Sequence, residues 1–501
     1  MTLHIPFSNA YAQLPGHFYA QVLPGKVKQP ALIRFNHQLA AELGFDSTQT
    51  DAQTLADIFT GNTILDESEP LAMAYSGHQF GQLNPQLGDG RAILLGDLLD
   101  TTGQRKDIQL KGAGTTPFSR MGDGRCPLGP ALREYILCEA MHALGVPTTR
   151  ALAVASTGER VVRDRLEPGA VFTRVASSHI RVGTFQYFAL RRDAEALTLL
   201  ADHVLERHYP HIDTSADDKY LQMFKAICQR QAELIALWMN IGFIHGVMNT
   251  DNMTASGETI DYGPCAFIDA FHRETVFSSI DRNGRYAYIN QPAIAQWNLA
   301  RLAETLLSLF PGDEKQSVEQ ATDILQDFAQ WHQDAWLDGF NRKLGFASSA
   351  ENDKERAEAL LDLLQQGGID FTLFFRRLSD LADKEADRSA LLALLDYPEV
   401  RKTSLLQQNL NDWLDNWQQD LAHRESDLHA AQQRMKAASP ALIPRNHNVQ
   451  AAIRAAEEGD FSVFENLLSA LQQPFADIAD DHPLSTPPTP QQQVLKTFCG
   501  T

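Results

Sequence analysis

His245-Gly246-Val247-Met248-Asn249-Thr250-Asp251-Asn252, followed shortly by Asp261-Tyr262-Gly263, gathers carboxylates and amides into one short, glycine-punctuated loop. Asn252 and Asp261 are oxygen ligands of the kind Mg²⁺ accepts while water and phosphate oxygens fill its other positions. Asp251, directly before Asn252, is a spare carboxylate able to take a proton. Upstream, Leu221, Phe224, Ile227, Gln231, Leu234 and Trp238 recur at three- and four-residue intervals. That period predicts a long helix over Tyr220–Ile241 delivering the chain into the loop. A polar turn after a helix has a similar composition, so the flanking sequence has to arbitrate.

The spacing fits a protein-kinase catalytic loop with one residue replaced. In that template a His-Arg-Asp opening is followed at fixed spacing by a metal-binding Asn and then by Asp-Phe-Gly. His245 and Asn252 match, Asp261-Tyr262-Gly263 stands for Asp-Phe-Gly, and Val247 occupies the position of the catalytic base. Valine accepts no proton. The chain has either lost catalysis or performs different chemistry around the same metal site, and His245 reads as a brace for the loop.

With 501 residues the chain is long enough for several lobes of roughly 100–200 residues. A net charge of −20 argues against a nucleic-acid or anionic-membrane binder, whose contacts need a basic surface. The five cysteines form no Cys-x-x-Cys pair, which fits a reducing compartment and provides no zinc spacing. The start lacks a basic, apolar secretory leader and no apolar run is long enough to span a bilayer, so a soluble cytoplasmic protein is expected.

The order of elements predicts an α+β, bilobal, protein-kinase-like fold, with a sheet-containing N-lobe and a predominantly helical C-lobe. Residues 1–70 form an N-terminal extension in which the amphipathic run Ala31–Leu43 predicts a helix ending at Gly44. In the N-lobe, 71–185, Ala92–Leu95 and Asp107–Leu110 around Thr102-Gly103 predict a β-hairpin. A helix over Pro130–Leu144 follows, then strands at 151–154, 160–162 and 169–174. The C-lobe, 186–480, holds the loop 245–263 and helical patterns at Ile294–Phe310, Ala321–Leu337, Lys354–Gln366, Leu405–Gln433, Val449–Ala456 and Phe461–Leu471. Residues 481–501, rich in Pro, Ser, Thr and Gln, read as a flexible tail carrying Cys499.

Several candidates for chemistry lie before the loop. Gly88-Asp89-Gly90-Arg91 reads either as a tight turn or as part of a phosphate-covering glycine loop, where missing Cβ atoms let backbone N–H groups approach a nucleotide. Lys111 ends a strand where kinases place a phosphate-holding lysine, and Glu134 on the next helix is the carboxylate to position it. Glu134 shares a face with Leu137, Cys138 and Met141, where an unpaired carboxylate is costly. Gly122-Asp123-Gly124-Arg125 is a second glycine element, and Arg174 and Arg181 offer guanidinium forks suited to phosphate oxygens.

Together these residues resemble the selenoprotein O (SelO) family of pseudokinases. The resemblance runs through Tyr75-Ser76-Gly77-His78-Gln79-Phe80-Gly81, the stretch from Leu110 to Arg120, Gly122–Arg125, the His245 loop with Asp261-Tyr262-Gly263-Pro264, and Cys499. It implies a kinase-like fold that binds ATP turned around relative to kinases and transfers AMP to protein hydroxyls. By the same resemblance Gly88, Gly90, Arg91, Lys111, Asp123, Gly124, Arg174, Arg181 and Asp261 bind ATP. Asn252 and Asp261 hold Mg²⁺, with Mn²⁺ as an alternative, and Asp251 accepts the proton. The family's C-terminal cysteine implies redox control, for which Cys265 is the candidate partner of Cys499. The expected activity is AMP transfer from ATP to Ser, Thr or Tyr of proteins, without nucleic-acid or membrane partners. Transfer of UMP from UTP with Mn²⁺, or a catalytically inactive nucleotide-sensing scaffold, are the alternatives.

Overall fold

The computed structural model describes residues 3–383, 386–397, 400–479 and 481–498. Its framework is a mixed α+β arrangement built on one antiparallel sheet. The strands are β1 (Tyr19–Gln21), β2 (Ala31–Phe35), β3 (Leu71–Met73), β6 (Ala92–Leu99), β7 (Arg105–Lys111), β8 (Cys126–Pro127), β9 (Arg150–Val162) and β10 (Leu166–Ala176). They run in the order β1-β3-β6-β7-β10-β9-β2, with β8 added against β10. Between β3 and β6, β4 (Gly77–Gln79) and β5 (Gln82–Asn84) form a separate two-stranded hairpin. Two strands of the main sheet, β1 and β2, come from before residue 71.

Alternation along β7 separates two jobs. Ile108 and Leu110 point into an apolar layer with Leu39, Leu55 and Phe59 from α1 (His37–Glu42) and α2 (Ala52–Phe59). Asp107, Gln109 and Lys111 therefore face the other side of the sheet, as the two-residue period of a strand requires. That side meets α3 (Leu128–Ala143), whose Leu132, Tyr135 and Ile136 join the large core containing Phe172 of β10. A polar row is thus held between two apolar layers, and its groups must find partners there.

Helices α4 (Val182–Arg191), α5 (Ala194–His208) and α6 (Lys219–Asn240) lead into the loop 245–263, where β11 (Phe243–Ile244) pairs with β12 (Ala266–Phe267). Next come α7 (Gln291–Leu306), α8 (Glu314–Lys343), α9 (Asp353–Gly367), α10 (Phe371–Leu378) and α11 (Ser389–Leu392). The last helices are α12 (Ser404–Arg424), α13 (Leu428–Ala438), α14 (Asn446–Glu457) and α15 (Ser462–Ala470). A second core, centred on Phe340, Phe374 and Trp417, joins α8, α10 and α12.

Several local expectations change. Ala31–Leu43 is not one helix: Ala31–Phe35 pairs with β9, and α1 starts only after Asn36, whose side chain accepts from the Leu39 N–H. The front of the run pairs as a strand, with Leu32 and Phe35 set against Ala155 and Ala153 across a register shift between Leu32 and Arg34. The strand pieces at 151–154 and 160–162 are one strand, β9. The run Leu405–Gln433 is two helices, because Asp427 caps a new start by accepting from the Ala430 N–H. Helix α10, capped by Asp370, was not foreseen.

The tail is not a loose linker over its described residues, 481–498. The Thr497 N–H donates to Phe277 O at 2.8 Å, and its carbonyl accepts from the Ser279 N–H at 3.0 Å. The Thr497 hydroxyl donates to Pro264 O at 2.5 Å, while Ser485 O accepts from Arg445 Nε at 2.9 Å. These contacts pair polar groups that a free tail leaves to water. Cys499 lies outside the described residues.

Candidate active site

A cavity of about 770 Å³ is bounded by the Lys111 end of the sheet's polar row, the hairpin β4–β5, the stretch 118–125 and the loop carrying Asp251 and Asn252. Gly88, Gly90, Arg91, Lys111, Asp123 and Gly124 line it from the sheet side, with Arg174 and Arg181. Asp251, Asn252 and Asp261 line it from the loop. Residues far apart in the chain are thus brought to one cavity.

The electrostatic centre is Asp261. Lys111 Nζ lies 2.8 Å from its Oδ1, Arg174 Nη1 2.8 Å from the same oxygen, and Arg181 Nη1 2.8 Å from Oδ2. Burial alone raises the Asp261 carboxyl, but Lys111, Arg174 and Arg181 hold it well below the usual carboxylate range. Its backbone has φ of +64°, a left-handed conformation that costs a non-glycine residue about 1–3 kcal/mol. Glu134 shares the cations: Lys111 Nζ is 2.6 Å from its Oε2 and Arg174 Nη1 is 3.2 Å from its Oε1. Glu134 itself is buried on α3.

Asp251 sits differently. Its Oδ1 is buried with no hydrogen-bond partner, and burial pushes its carboxyl up to about 6 even though Arg181 opposes the shift. Arg181 reaches Asp251 only through the backbone, donating to its carbonyl at 2.6 Å. Asn252 donates Nδ2 to Val247 O at 2.9 Å, which leaves its carbonyl oxygen as an acceptor. His245 is buried, and its Nε2 bonds Ile260 O at 2.8 Å, tying the loop to the residue before Asp261.

The donor set fits a hard divalent cation. Asn252 and Asp261 offer oxygen ligands, and among the described residues no cluster of three or more His, Cys, Asp or Glu forms a complete metal cage. A cation here relies on waters and phosphate oxygens for its other positions, as Mg²⁺ does.

Two of the glycines that line the cavity also allow close packing. A Cβ on Gly88 would lie 2.3 Å from the Phe118 ring, so this glycine admits the 118–125 stretch as well as any ligand. Gly124 has φ of +67° and approaches Gly114 so closely that a Cβ would stand 2.1 Å from its carbonyl. Asp123 is held by Arg163 through two bonds, 2.9 and 3.1 Å.

Four contributors escaped the sequence reading. Arg163, in the β9–β10 turn, is 40 positions from its partner and no local rule links them. Gln109 receives Arg174 Nη2 at 2.6 Å and donates to Asp89 at 3.1 Å. Its place two residues before Lys111 was the available signal. Asp89 is buried between the two glycines, and the Tyr75 ring lies under Arg181, 4.7 Å from the guanidinium carbon. Cys265 is buried, and burial pushes its thiol up to about 11, so it is protonated at neutral pH.

A family model described as protein adenylyltransferase SelO matches residues 1–472. The chain belongs to the SelO family. A relative from Rhizobium meliloti (strain 1021), named protein nucleotidyltransferase YdiU, is 54% identical over 497 residues, 99% of either chain. A protein of the same name from Rhodopseudomonas palustris (strain BisB5) is 53% identical over 502 residues and the full length of both. One from Bradyrhizobium diazoefficiens is 51% identical over the same span. Membership in SelO makes the chain a protein nucleotidyltransferase. No described helix is long and apolar enough to cross a membrane.

Proposed function

We propose that this SelO protein transfers AMP from ATP to the hydroxyl of a serine, threonine or tyrosine of another protein, releasing pyrophosphate. The framework is read as a two-lobed, kinase-like fold, residues 71–185 and 186–480, flanked by an extension (1–70) and a tail (481–501). The sheet preceding a helical region, with the cavity between them, supports that division.

The observation that carries the reading is the pairing of an unpartnered, buried Asp251 oxygen with a neighbouring Asp261 ringed by cations. Asp251 has no cation on its own carboxylate, so it is available for a proton, while Val247 offers none of that chemistry. Lys111, Arg174 and Arg181 bind and orient phosphate oxygens, with Gly88, Gly90, Arg91, Asp123 and Gly124 enclosing the rest of the nucleotide. Asn252 and Asp261 hold Mg²⁺ or Mn²⁺, which supplies positive charge against the phosphates. The substrate hydroxyl oxygen bonds to the α-phosphorus as its proton passes to Asp251. The bond from that phosphorus to the β-bridging oxygen breaks, and its electron pair leaves with pyrophosphate. The cationic side chains meet the charge that develops on the leaving group.

Cytoplasmic residence and a Cys265–Cys499 disulfide belong to the same proposal. The four described cysteines are free, and the Thr497 contact to Pro264 brings the tail beside Cys265. A non-reducing peptide map with both thiols free after mild oxidation would remove the disulfide. Intact-mass analysis after incubation with a hydroxyl protein and ATP tests the transfer itself. A gain of AMP supports it, a gain of phosphate contradicts it, and a gain only from UTP with Mn²⁺ replaces AMP by UMP.

A further inference from the structure

Arg285 and Arg301 share one indole. Their guanidinium carbons stand 4.9 and 5.0 Å from the centroid of Trp297. Two like charges on one ring repel, and the cost is relieved when an anion joins them. Arg301 has an exposed partner, Glu304, at 2.6 Å, whereas Arg285 lies 5.7 Å from the centroid of the Tyr286 ring. The Nε of each arginine is buried and makes no hydrogen bond. Those Nε groups are closed to solvent, so the donors open to an incoming acceptor are the terminal Nη groups of the two half-buried forks.

The pair borders the catalytic loop. His78 of β4 packs edge-on against Trp297 at 5.3 Å, and its N–H donates to Thr250 Oγ1 at 2.7 Å. A Cβ on Gly81 would lie 3.8 Å from the Arg285 guanidinium carbon. The next residue, Tyr286, donates its hydroxyl to Asn249 Oδ1 at 2.6 Å. Asn249 and Thr250 immediately precede Asp251. The cationic spot therefore sits beside the loop that carries the proton acceptor, on a chain whose net charge of −20 repels acidic partners elsewhere.

We propose that Arg285 and Arg301, stacked on Trp297, dock an acidic segment of the protein substrate close to its target hydroxyl. Carboxylates accept from the terminal Nη groups, and the fork geometry favours them over neutral side chains. The inference rests on the reading that a protein hydroxyl is the acceptor.

Labelled serine peptides flanked by glutamates, or by glutamines, test it by fluorescence anisotropy on the full chain without nucleotide. The glutamate peptide should bind about tenfold tighter at low salt, with the advantage fading as salt rises. The Arg285→Gln/Arg301→Gln variant should bind both peptides alike, while Arg342→Gln, on the exposed face of α8, keeps the preference. Unaltered ATP affinity and thermal melting show that the variant is folded, and Arg285→Gln alone provides the same readout if the double variant is not. Equal binding of the two peptides by the unmodified protein, or a preference surviving in the double variant, overturns the proposal. Because binding needs no transfer, a charge preference without AMP transfer would remove only the adenylylation reading.

Discussion

A β-carbon placed on Gly77 would stand 2.5 Å from the Oδ1 of Asp251. The hairpin that begins at Gly77 is held on the loop by bonds from His78 N–H to Thr250 and from Phe80 N–H to Asn249, so it has little freedom to retreat. Gly77→Ala should displace the Asp251 carboxylate while leaving the cations on Asp261 in place. Transfer should fall by about 100-fold, the scale of a reacting group misplaced by an ångström, with ATP affinity nearly unchanged. Steady-state transfer kinetics beside equilibrium ATP binding check this, and a parallel loss of both would contradict it.

Glu134 holds Lys111 and Arg174 together from behind. Glu134→Gln should leave Asp261 as the one carboxylate bonded to both cations and loosen their aim at the nucleotide. KM for ATP should rise by about tenfold, with a smaller change in kcat, because charge-assisted bonds are roughly twice as strong as neutral ones.

Arg163 fixes Asp123 and, through a bond to Arg125 O at 2.8 Å, the backbone beyond it. Removing the guanidinium loosens the Asp123 end of the 118–125 stretch without touching Asp251 or Asp261. Arg163→Gln should weaken ATP binding a few-fold, by about 1 kcal/mol or less given the exposure of Asp123, and leave the saturated rate unchanged. Isothermal titration with ATP and a saturating-ATP rate separate the two effects.

Lys343 is buried on α8 between Phe371 and Phe375, with its amine 5.5 and 4.5 Å from their ring centroids. Burial pushes its pKa down to about 7, against roughly 10.4 in an unfolded chain. Between these values the unfolded state binds more protons, so this residue makes stability rise with pH from about 7 to 10 and flatten below. Lys343→Met should raise the melting temperature near neutral pH and remove that part of the slope, measured by thermal unfolding across the range. An unchanged slope would show that Lys343 is not the source.

Much of the lining of the candidate site was legible because its sequence signals are local. Lys111 follows an alternating strand, Asp261 and Asn252 stand at template spacing, and the glycine pairs flank acids, so each drew attention from its neighbours alone. What stayed hidden depends on contacts across the chain. Nothing near Arg163 announces Asp123, and Gly88 looks like a phosphate-loop glycine although its missing Cβ makes room for Phe118. The tail reads as a linker by composition, yet Thr497 is held through two backbone groups and a hydroxyl, which composition does not encode. Ala31–Leu43 carries a helical average that masks five residues recruited by β9 as a strand.

The central claim is that Asp251 and the cation-ringed Asp261 serve transfer at the α-phosphorus and not at the γ-phosphorus. The most direct measurement incubates the protein and a hydroxyl-bearing protein substrate with ATP labelled at the α-phosphate or, in parallel, at the γ-phosphate. The account predicts label on protein from the α-position only, lost in Asp261→Ala and strongly reduced in Asp251→Ala. Label arriving from the γ-position, or α-label that survives in Asp261→Ala, would contradict it.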